Sequence, residues 1–318
     1  MYSHQHLMNI LDAWDLELKR IRADLPIAGS PERCEFRTVV ETRSAELFIV
    51  EGLPPASIPH KRRVSAALGH LARQDVDSIR PYRRNREGDL ITRRRGRHWQ
   101  VAEYISGTPL DRPAYVFEGW RGPALADFLI SLRRRAGEVP GYDIASPFSI
   151  VRFIHDMNRR MQEHDPGIAR RVRPAREYVL NALSPHHDRL SVAFCHGDFH
   201  PLNVIWSRDG ILAVIDWEFC GFKPEIYDAA MLVGCAGMED PRSLTGDLVV
   251  GFLERLRKSS LLGEESLKIF FEYTLALRFA WLSEWLRQPD PEMVDLECVY
   301  IGLLLENHAR LSHAWGLE

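Results

Sequence analysis

Three oxygen-bearing side chains stand at spacings that suit phosphoryl transfer. Asp198 and Asn203 lie five positions apart, and Asp216 follows an apolar segment that comes after an Asp-Gly turn. Phosphoryl transfer needs a carboxylate that orients the attacking hydroxyl and accepts its proton. It also needs oxygen ligands for Mg²⁺, which neutralises the charge on the phosphoryl oxygens. We therefore expect these three side chains, on two adjacent loops, to surround one nucleoside triphosphate.

The same residues belong to longer motifs. These are His196-Gly197-Asp198 with Asn203, Ile215-Asp216-Trp217-Glu218 and Tyr227-Asp228-Ala229-Ala230. In combination they resemble the superfamily of aminoglycoside phosphotransferases, choline kinases and type II homoserine kinases, over most of the chain. The resemblance implies that Asp198 is the catalytic base and that Asn203 and Asp216 bind Mg²⁺. It also implies that Asp228 holds the backbone of the catalytic loop from the start of a helix.

Further expectations come from the same resemblance. The phosphoryl donor would be ATP or GTP, and backbone groups around Glu103, Tyr104 and Ile105 would meet the adenine. Supporting roles fall to His196, to His200 and to Glu218, which would lie behind the metal ligands or face substrate. The acceptor would be a hydroxyl of a small molecule, such as an amino alcohol, an aminoglycoside or a sugar.

Residue 51 departs from the family pattern. A Lys or Arg usually holds the nucleotide phosphates there, whereas this chain has Glu51, and its next helix begins with Lys61-Arg62-Arg63. One hypothesis is a charge swap, in which Glu51 replaces the usual salt-bridge acid and a cation of the helix reaches the phosphates. An unpaired carboxylate would otherwise repel a triphosphate. The alternative is that Glu51 is solvated at a strand end.

The phosphate-covering loop is also unusual. No GxGxxG motif is present, and the loop from Ala28 to Arg33 contains a single glycine. Arg33 could contact a phosphate, although such a loop is more often a plain turn.

The elements around these residues predict a two-lobed α+β, protein-kinase-like fold. Apolar residues at helical spacing predict a first helix that continues to Ile21. Two hairpins, 36–50 and 90–104, enclose a helix over 60–73, and mostly helical segments follow from residue 124. We expect a β-rich nucleotide-binding lobe over 1–106 and a helical lobe for catalysis and substrate binding over 107–318.

The apolar segment 266–287 predicts a central helix with polar residues on it. Arg278, Trp281 and Glu284 could touch the acceptor, because polar groups on a buried helix need partners. The favoured alternative is that the Arg and Glu residues close a buried salt bridge within the core.

Two other functions deserve comparison. His196, Asp198 and His200 alternate like zinc ligands, but a zinc site would leave Asn203 and Asp216 unexplained. A pseudokinase, which binds ligand without catalysis, is favoured by Glu51 and the missing glycine loop and opposed by the intact Asp-Asn-Asp set.

Composition excludes some partners. The 318-residue chain is 45% hydrophobic and 27% charged, with a net charge of −3, so no global basic field favours nucleic acid or an anionic membrane. The arginine-rich stretch 80–97 predicts a solvated hairpin. Five scattered cysteines form no metal-binding or disulfide pattern, which predicts a reducing, cytoplasmic environment.

Overall fold

The computed structural model describes residues 2–30, 33–288 and 290–317. Pro31 and Glu32, in the middle of the predicted phosphate-covering loop, lie outside the described residues. The chain divides into two compact units. The N-terminal unit comprises 1–110, 134–142 and 202–219, and the helical unit comprises 111–133, 143–201 and 220–318. This differs from the predicted division at residue 106, because the segment 202–219 groups with the N-terminal residues.

The N-terminal unit is built on a five-stranded antiparallel sheet. Its elements are α1 (His4–Leu11), β1 (Leu18–Ile21), β2 (Phe36–Thr42), β3 (Leu47–Leu53), α2 (Ile58–Arg73), β4 (Thr92–Arg94) and β5 (Arg97–Glu103). The strand order is β1-β2-β3-β5-β4, and the hairpin β7 (Val204–Trp206) and β8 (Ile211–Val214) belongs to the same unit. The predicted hairpins and the helix over 60–73 are thus confirmed.

The prediction that the first helix reaches Ile21 is wrong. The helix ends at Leu11, a 3₁₀ turn follows, and Asp15 adopts a left-handed conformation with φ 54°. A left-handed residue stops helical hydrogen bonding, and Leu18–Ile21 instead pairs with β2, with Leu18 opposite Thr42. The apolar residues are buried in both parts, so their periodicity did not reveal the change of structure.

The helical unit contains two short strands and most of the helices. They are α3 (Arg121–Arg135), α4 (Ile150–His164), α5 (Pro166–Arg171), α6 (Arg173–Leu183), β6 (Val192–Cys195), β9 (Gly221–Pro224), α7 (Tyr227–Glu239), α8 (Asp247–Lys258), α9 (Glu264–Lys268), α10 (Phe270–Arg287), α11 (Pro291–Glu306) and α12 (His308–Ala314). Helix α10 packs against α4, α6, α7 and α11 and is buried over most of its length, which confirms the predicted central helix.

Several arginines of the stretch 80–97 form ion pairs with acidic residues. Arg86 pairs with Asp12, Arg97 with Glu35 at 2.8 Å, and Arg94 approaches Glu87 at 3.9 Å. These arginines are exposed or half-exposed, as expected of a solvated hairpin. None of the helices in the described part of the chain has the length and apolar composition needed to cross a lipid bilayer.

Candidate active site

The loop before Asp198 is held by a buried carboxylate. Asp228, at the start of α7, accepts hydrogen bonds from the backbone N–H groups of His196 at 2.7 Å and Gly197 at 2.8 Å. Burial raises the pKa of Asp228, although the two backbone donors and the nearby His196 oppose that rise. Gly197 has φ 87°, a conformation that side chains disfavour, so the tight turn into Asp198 requires glycine. These contacts are those that the family resemblance implies for Asp228.

Two histidines flank Asp198 within the helical unit. His196 is fully buried, and its Nδ1 accepts a hydrogen bond from the Asp198 N–H at 3.1 Å. The Nε2 atom of His200 lies 3.6 Å from Asp198 Oδ1. His196 therefore shapes the loop, and its Nδ1 is already used by a backbone donor. Among the described residues, no group of three or more His, Cys, Asp or Glu side chains is arranged to hold a metal ion.

The other two predicted metal-site residues lie in the N-terminal unit. Asn203 is buried, and its backbone carbonyl accepts a hydrogen bond from Ile215 N–H at 2.9 Å, which joins the segments that carry Asn203 and Asp216. Asp216 has φ 63°, a costly conformation for a residue with a side chain and one that is common at functional sites. Because Asp198 belongs to the helical unit, its meeting with Asn203 and Asp216 stays a prediction.

A pocket in the N-terminal unit is lined by apolar residues, which we call its apolar part, and by charged residues, which we call its charged part. The apolar part includes Ile49, Val64, Ala102, Ile205 and Ile215. The predicted adenine-contacting segment, Glu103 to Ile105, lies at the same pocket. The N–H of Tyr104 is taken by the Leu47 carbonyl at 2.9 Å, so an adenine contact would have to use the flanking backbone groups.

At the charged part, the carboxylate of Asp216 is covered by the loop before β2. Its Oδ2 atom accepts hydrogen bonds from the Ser30 N–H at 3.1 Å and the Ser30 hydroxyl at 2.7 Å. Arg33 lies 4.0 Å from Oδ1, and its guanidinium stacks on the exposed ring of Phe219. Arg33 thus lies at the pocket, and its predicted contact with a phosphate stays a prediction.

The predicted charge swap is wrong in its choice of cation. Lys61 is buried and forms an ion pair with Glu218, whose other oxygen lies 3.2 Å from His60. Burial opposes ionisation of Glu218, but His60 and Lys61 hold its pKa at about 2. Arg62 and Arg63 are exposed and do not line the pocket, because they point from the opposite face of α2.

The cation beside Glu51 is Arg37, which sequence reasoning missed. Arg37 Nε lies 2.9 Å from Glu51, and Gln100 Nε2 donates to the second carboxylate oxygen at 2.6 Å. Glu51 is buried, so the alternative of a solvated strand end is wrong as well. The observed register of the hairpin, with Glu41 opposite Leu47, places Arg37 opposite Glu51, whereas the predicted hairpin ended at residue 50 and did not give this pairing.

The residues proposed to bind the acceptor have different surroundings. Arg278 is buried and forms a bidentate pair with Glu297 of α11, so it cannot reach a ligand, and the favoured alternative of a buried salt bridge is correct. The acid is not Glu284, which pairs with Arg287 and Gln288. Trp281 is half-buried and stacks on Trp285. The ring centres of Trp281 and His200 are 6.1 Å apart in an edge-to-face arrangement.

Comparison with known proteins identifies the family. The profile of the phosphotransferase enzyme family matches residues 35–268, which is more than half of the chain. The chain therefore belongs to this family, whose members are small-molecule kinases that act on hydroxyl groups. A search of curated protein sequences gave no match.

Solved structures show the same fold at low identity. An aminoglycoside phosphotransferase from Alicyclobacillus acidocaldarius has a TM-score of 0.68 and 15% identity, with 96% of this chain and 93% of that chain covered. An amicoumacin kinase solved with AMP-PNP and Ca²⁺ has a TM-score of 0.63 and 15% identity, with 96% of this chain and 94% of that chain covered. A choline/ethanolamine kinase family protein from Mesorhizobium loti has a TM-score of 0.60 and 16% identity, with 91% of this chain and 92% of that chain covered. The kinase-like fold expected from the sequence is confirmed.

Proposed function

We propose that this protein transfers the γ-phosphoryl of ATP to a hydroxyl of a small molecule in a Mg²⁺-dependent reaction. The observation that carries the proposal is the pocket of the N-terminal unit, which combines an apolar part with a charged part containing Asp216. The apolar part suits an adenine, and the charged part suits a triphosphate. The amicoumacin kinase with AMP-PNP and Ca²⁺ supports a nucleotide donor and a divalent ion.

The donor atoms in the chain fit Mg²⁺. Asn203 and Asp216 offer an amide and a carboxylate oxygen on segments joined by a backbone hydrogen bond, and Mg²⁺ prefers oxygen ligands. When bound, Mg²⁺ supplies positive charge that offsets the charge on the phosphoryl oxygens. Asp198 orients the acceptor hydroxyl and takes its proton, while Asp228 and His196 hold the loop that presents it.

The pseudokinase alternative loses its main support. It depended on an acidic residue that would repel the triphosphate, and Arg37 neutralises that acid at 2.9 Å. The acceptor is proposed only as a small alcohol, with amino alcohols, aminoglycosides and sugars as candidates. The five cysteines are all free thiols, which suits a reducing cytoplasm.

The test measures ADP release against a panel of such alcohols. We expect Asp198→Asn to lower the rate by about 100- to 10,000-fold, since a positioned base contributes that much, with ATP binding retained. The exposed Asp75, which has φ 53°, provides the matched control Asp75→Asn. Undiminished transfer in Asp198→Asn would refute the assigned base, and absence of nucleotide binding in the native protein would refute the proposed function.

A further inference from the structure

The charged part of the pocket contains three carboxylates that a triphosphate would meet. Glu51, Asp216 and Glu218 line it together with the cations Arg33, Arg37, Lys61 and Arg80. Arg33 faces Asp216 at 4.0 Å, and Nη1 of Arg80 donates to the Ile79 carbonyl at 3.1 Å. Phosphate binding in a partly dry pocket requires that carboxylates be neutralised and that a cation keep hydrogen-bond donors to spare. The partner cations of Glu51 and Glu218 are Arg37 and Lys61, and the one that keeps unused donors can bind a phosphate.

Lys61 does not meet that requirement. Its ammonium is buried and paired with Glu218, so a move toward phosphate would leave that carboxylate with His60 alone. Glu218 stands two residues after Asp216 in the same turn. Lys61 therefore fixes the segment that carries Asp216, which is a positioning role.

Arg37 does meet the requirement. Its Nε faces Glu51, and Nη1 donates a long hydrogen bond to the Gly29 carbonyl at 3.4 Å. A guanidinium has five N–H donors, and no described residue accepts a hydrogen bond from Nη2 of Arg37. The side chain is 18% exposed and lines the pocket, so these donors are accessible to a ligand.

Glu51 is built to hold Arg37 in place. It lies opposite Arg37 on β3 and opposite Gln100 on β5, and both neighbours engage its carboxylate. The ion pair keeps the guanidinium close to Glu51, although the Nε–H makes no hydrogen bond in this geometry, and a side chain held near its binding position loses less entropy when a phosphate binds.

We infer that Arg37 is the residue that binds the nucleotide phosphates, with Glu51 as its positioning residue. This inference rests on the proposed function and deepens it. The strand position that supplies a cation in the related enzymes supplies the acid here, and the adjacent strand supplies the cation.

The test compares ligands with and without phosphates by calorimetry of the full chain. Arg37→Gln is expected to lower the affinity for ATP and ADP about 10- to 100-fold, because it removes charge-assisted hydrogen bonds. Adenosine should bind unchanged, since it lacks the phosphates. Arg37→Lys should recover part of the loss, and Glu51→Gln should weaken ATP by less than Arg37→Gln.

Arg62→Ala is the matched control, because Arg62 is exposed and outside the pocket. Equal ATP affinity in Arg37→Gln and the native protein would overturn the inference while leaving the proposed function intact. Equal loss of adenosine and ATP would also overturn it, because Arg37 would then shape the pocket rather than bind phosphate. If Arg37→Gln fails to fold, the ATP-to-adenosine affinity ratio of Arg37→Lys decides the question, and an unchanged ratio overturns the inference. Failure of the native protein to bind ATP would instead refute the proposed function.

Discussion

The ion pairs Lys61–Glu218 and Arg278–Glu297 are both buried, but their surroundings differ. The first lies at a pocket in the N-terminal unit, and its carboxylate has the half-exposed His60 as a second partner. The second lies within the helical core, where Glu297 is fully buried and accepts two hydrogen bonds at 2.7 Å. A pair at a pocket can be reached by water, whereas a pair in a closed core is shielded from water and holds the helices together.

The largest loss of stability is expected when the core pair Arg278–Glu297 is broken. Glu297→Ala leaves the Arg278 guanidinium buried without its acid, and the Glu297 carboxylate normally raises the pKa of Arg278 although burial opposes this. We expect the free energy of unfolding to fall by about 3–5 kcal/mol, measured by urea denaturation. The double variant Arg278→Met with Glu297→Leu should regain most of that stability. A small loss in Glu297→Ala would mean that water reaches the pair.

Asp228 extends the comparison to a buried acid that is held by backbone donors. Asp228→Ala leaves the His196 and Gly197 N–H groups without acceptors, so we expect a loss of about 2–4 kcal/mol. Hydrogen exchange should show faster exchange at these two amides and not across α10. Unchanged protection of both amides would contradict the role of Asp228 in holding the loop.

A smaller effect is expected in the pocket pair. Lys61→Met leaves Glu218 with His60, so stability should fall by about 1–2 kcal/mol, less than in Glu297→Ala. Lys258→Met, on the exposed side of α8, is the control and should change stability by less than about 0.5 kcal/mol. A loss in Lys61→Met as large as in Glu297→Ala would show that the pocket pair is as closed to solvent as the core pair.

The contribution of the pocket pair to stability should also depend on pH in the acid range. The pKa of Glu218 is lowered from 4.5 to about 2, so its contribution to stability is fully present above its unfolded pKa. The contribution is lost as the pH falls toward about 2, since the unfolded chain then binds the proton more readily. The stability difference between the native protein and Glu218→Gln should shrink from about pH 5 to about pH 3, measured by urea denaturation. A constant difference over this range would show that Glu218 keeps an ordinary pKa.

Much of the fold could be predicted because it depends on residues close in sequence. The hairpin around residues 42–46, helix α2 and the buried helix α10 follow from turn residues and apolar periodicity. The failure at Leu18–Ile21 has the same origin, since one left-handed residue at Asp15 changed the structure without changing the apolar spacing.

The candidate site likewise has residues that the sequence could indicate and ion pairs that it could not. Asp198, Asn203 and Asp216 could be proposed from the sequence because their roles need fixed residue types at fixed spacing, and those roles stay predictions. The sequence did not reveal that Arg37 lies beside Glu51, and Lys61, a candidate for the phosphates, is instead paired with Glu218, because residue types alone do not say which opposite charges meet. Arg62 and Lys61 are neighbours in sequence, yet one is exposed and the other buried.

By itself the sequence determined the family, the kinase-like fold and the residues proposed for catalysis, because these are written in residue types and short spacings. Tertiary structure decided which charges meet. Arg37 pairs with Glu51 across two strands, Lys61 with Glu218, and Arg278 with Glu297 rather than Glu284. The physical reason is that an ion pair depends on distance and burial, and both are set by strand register and helix packing.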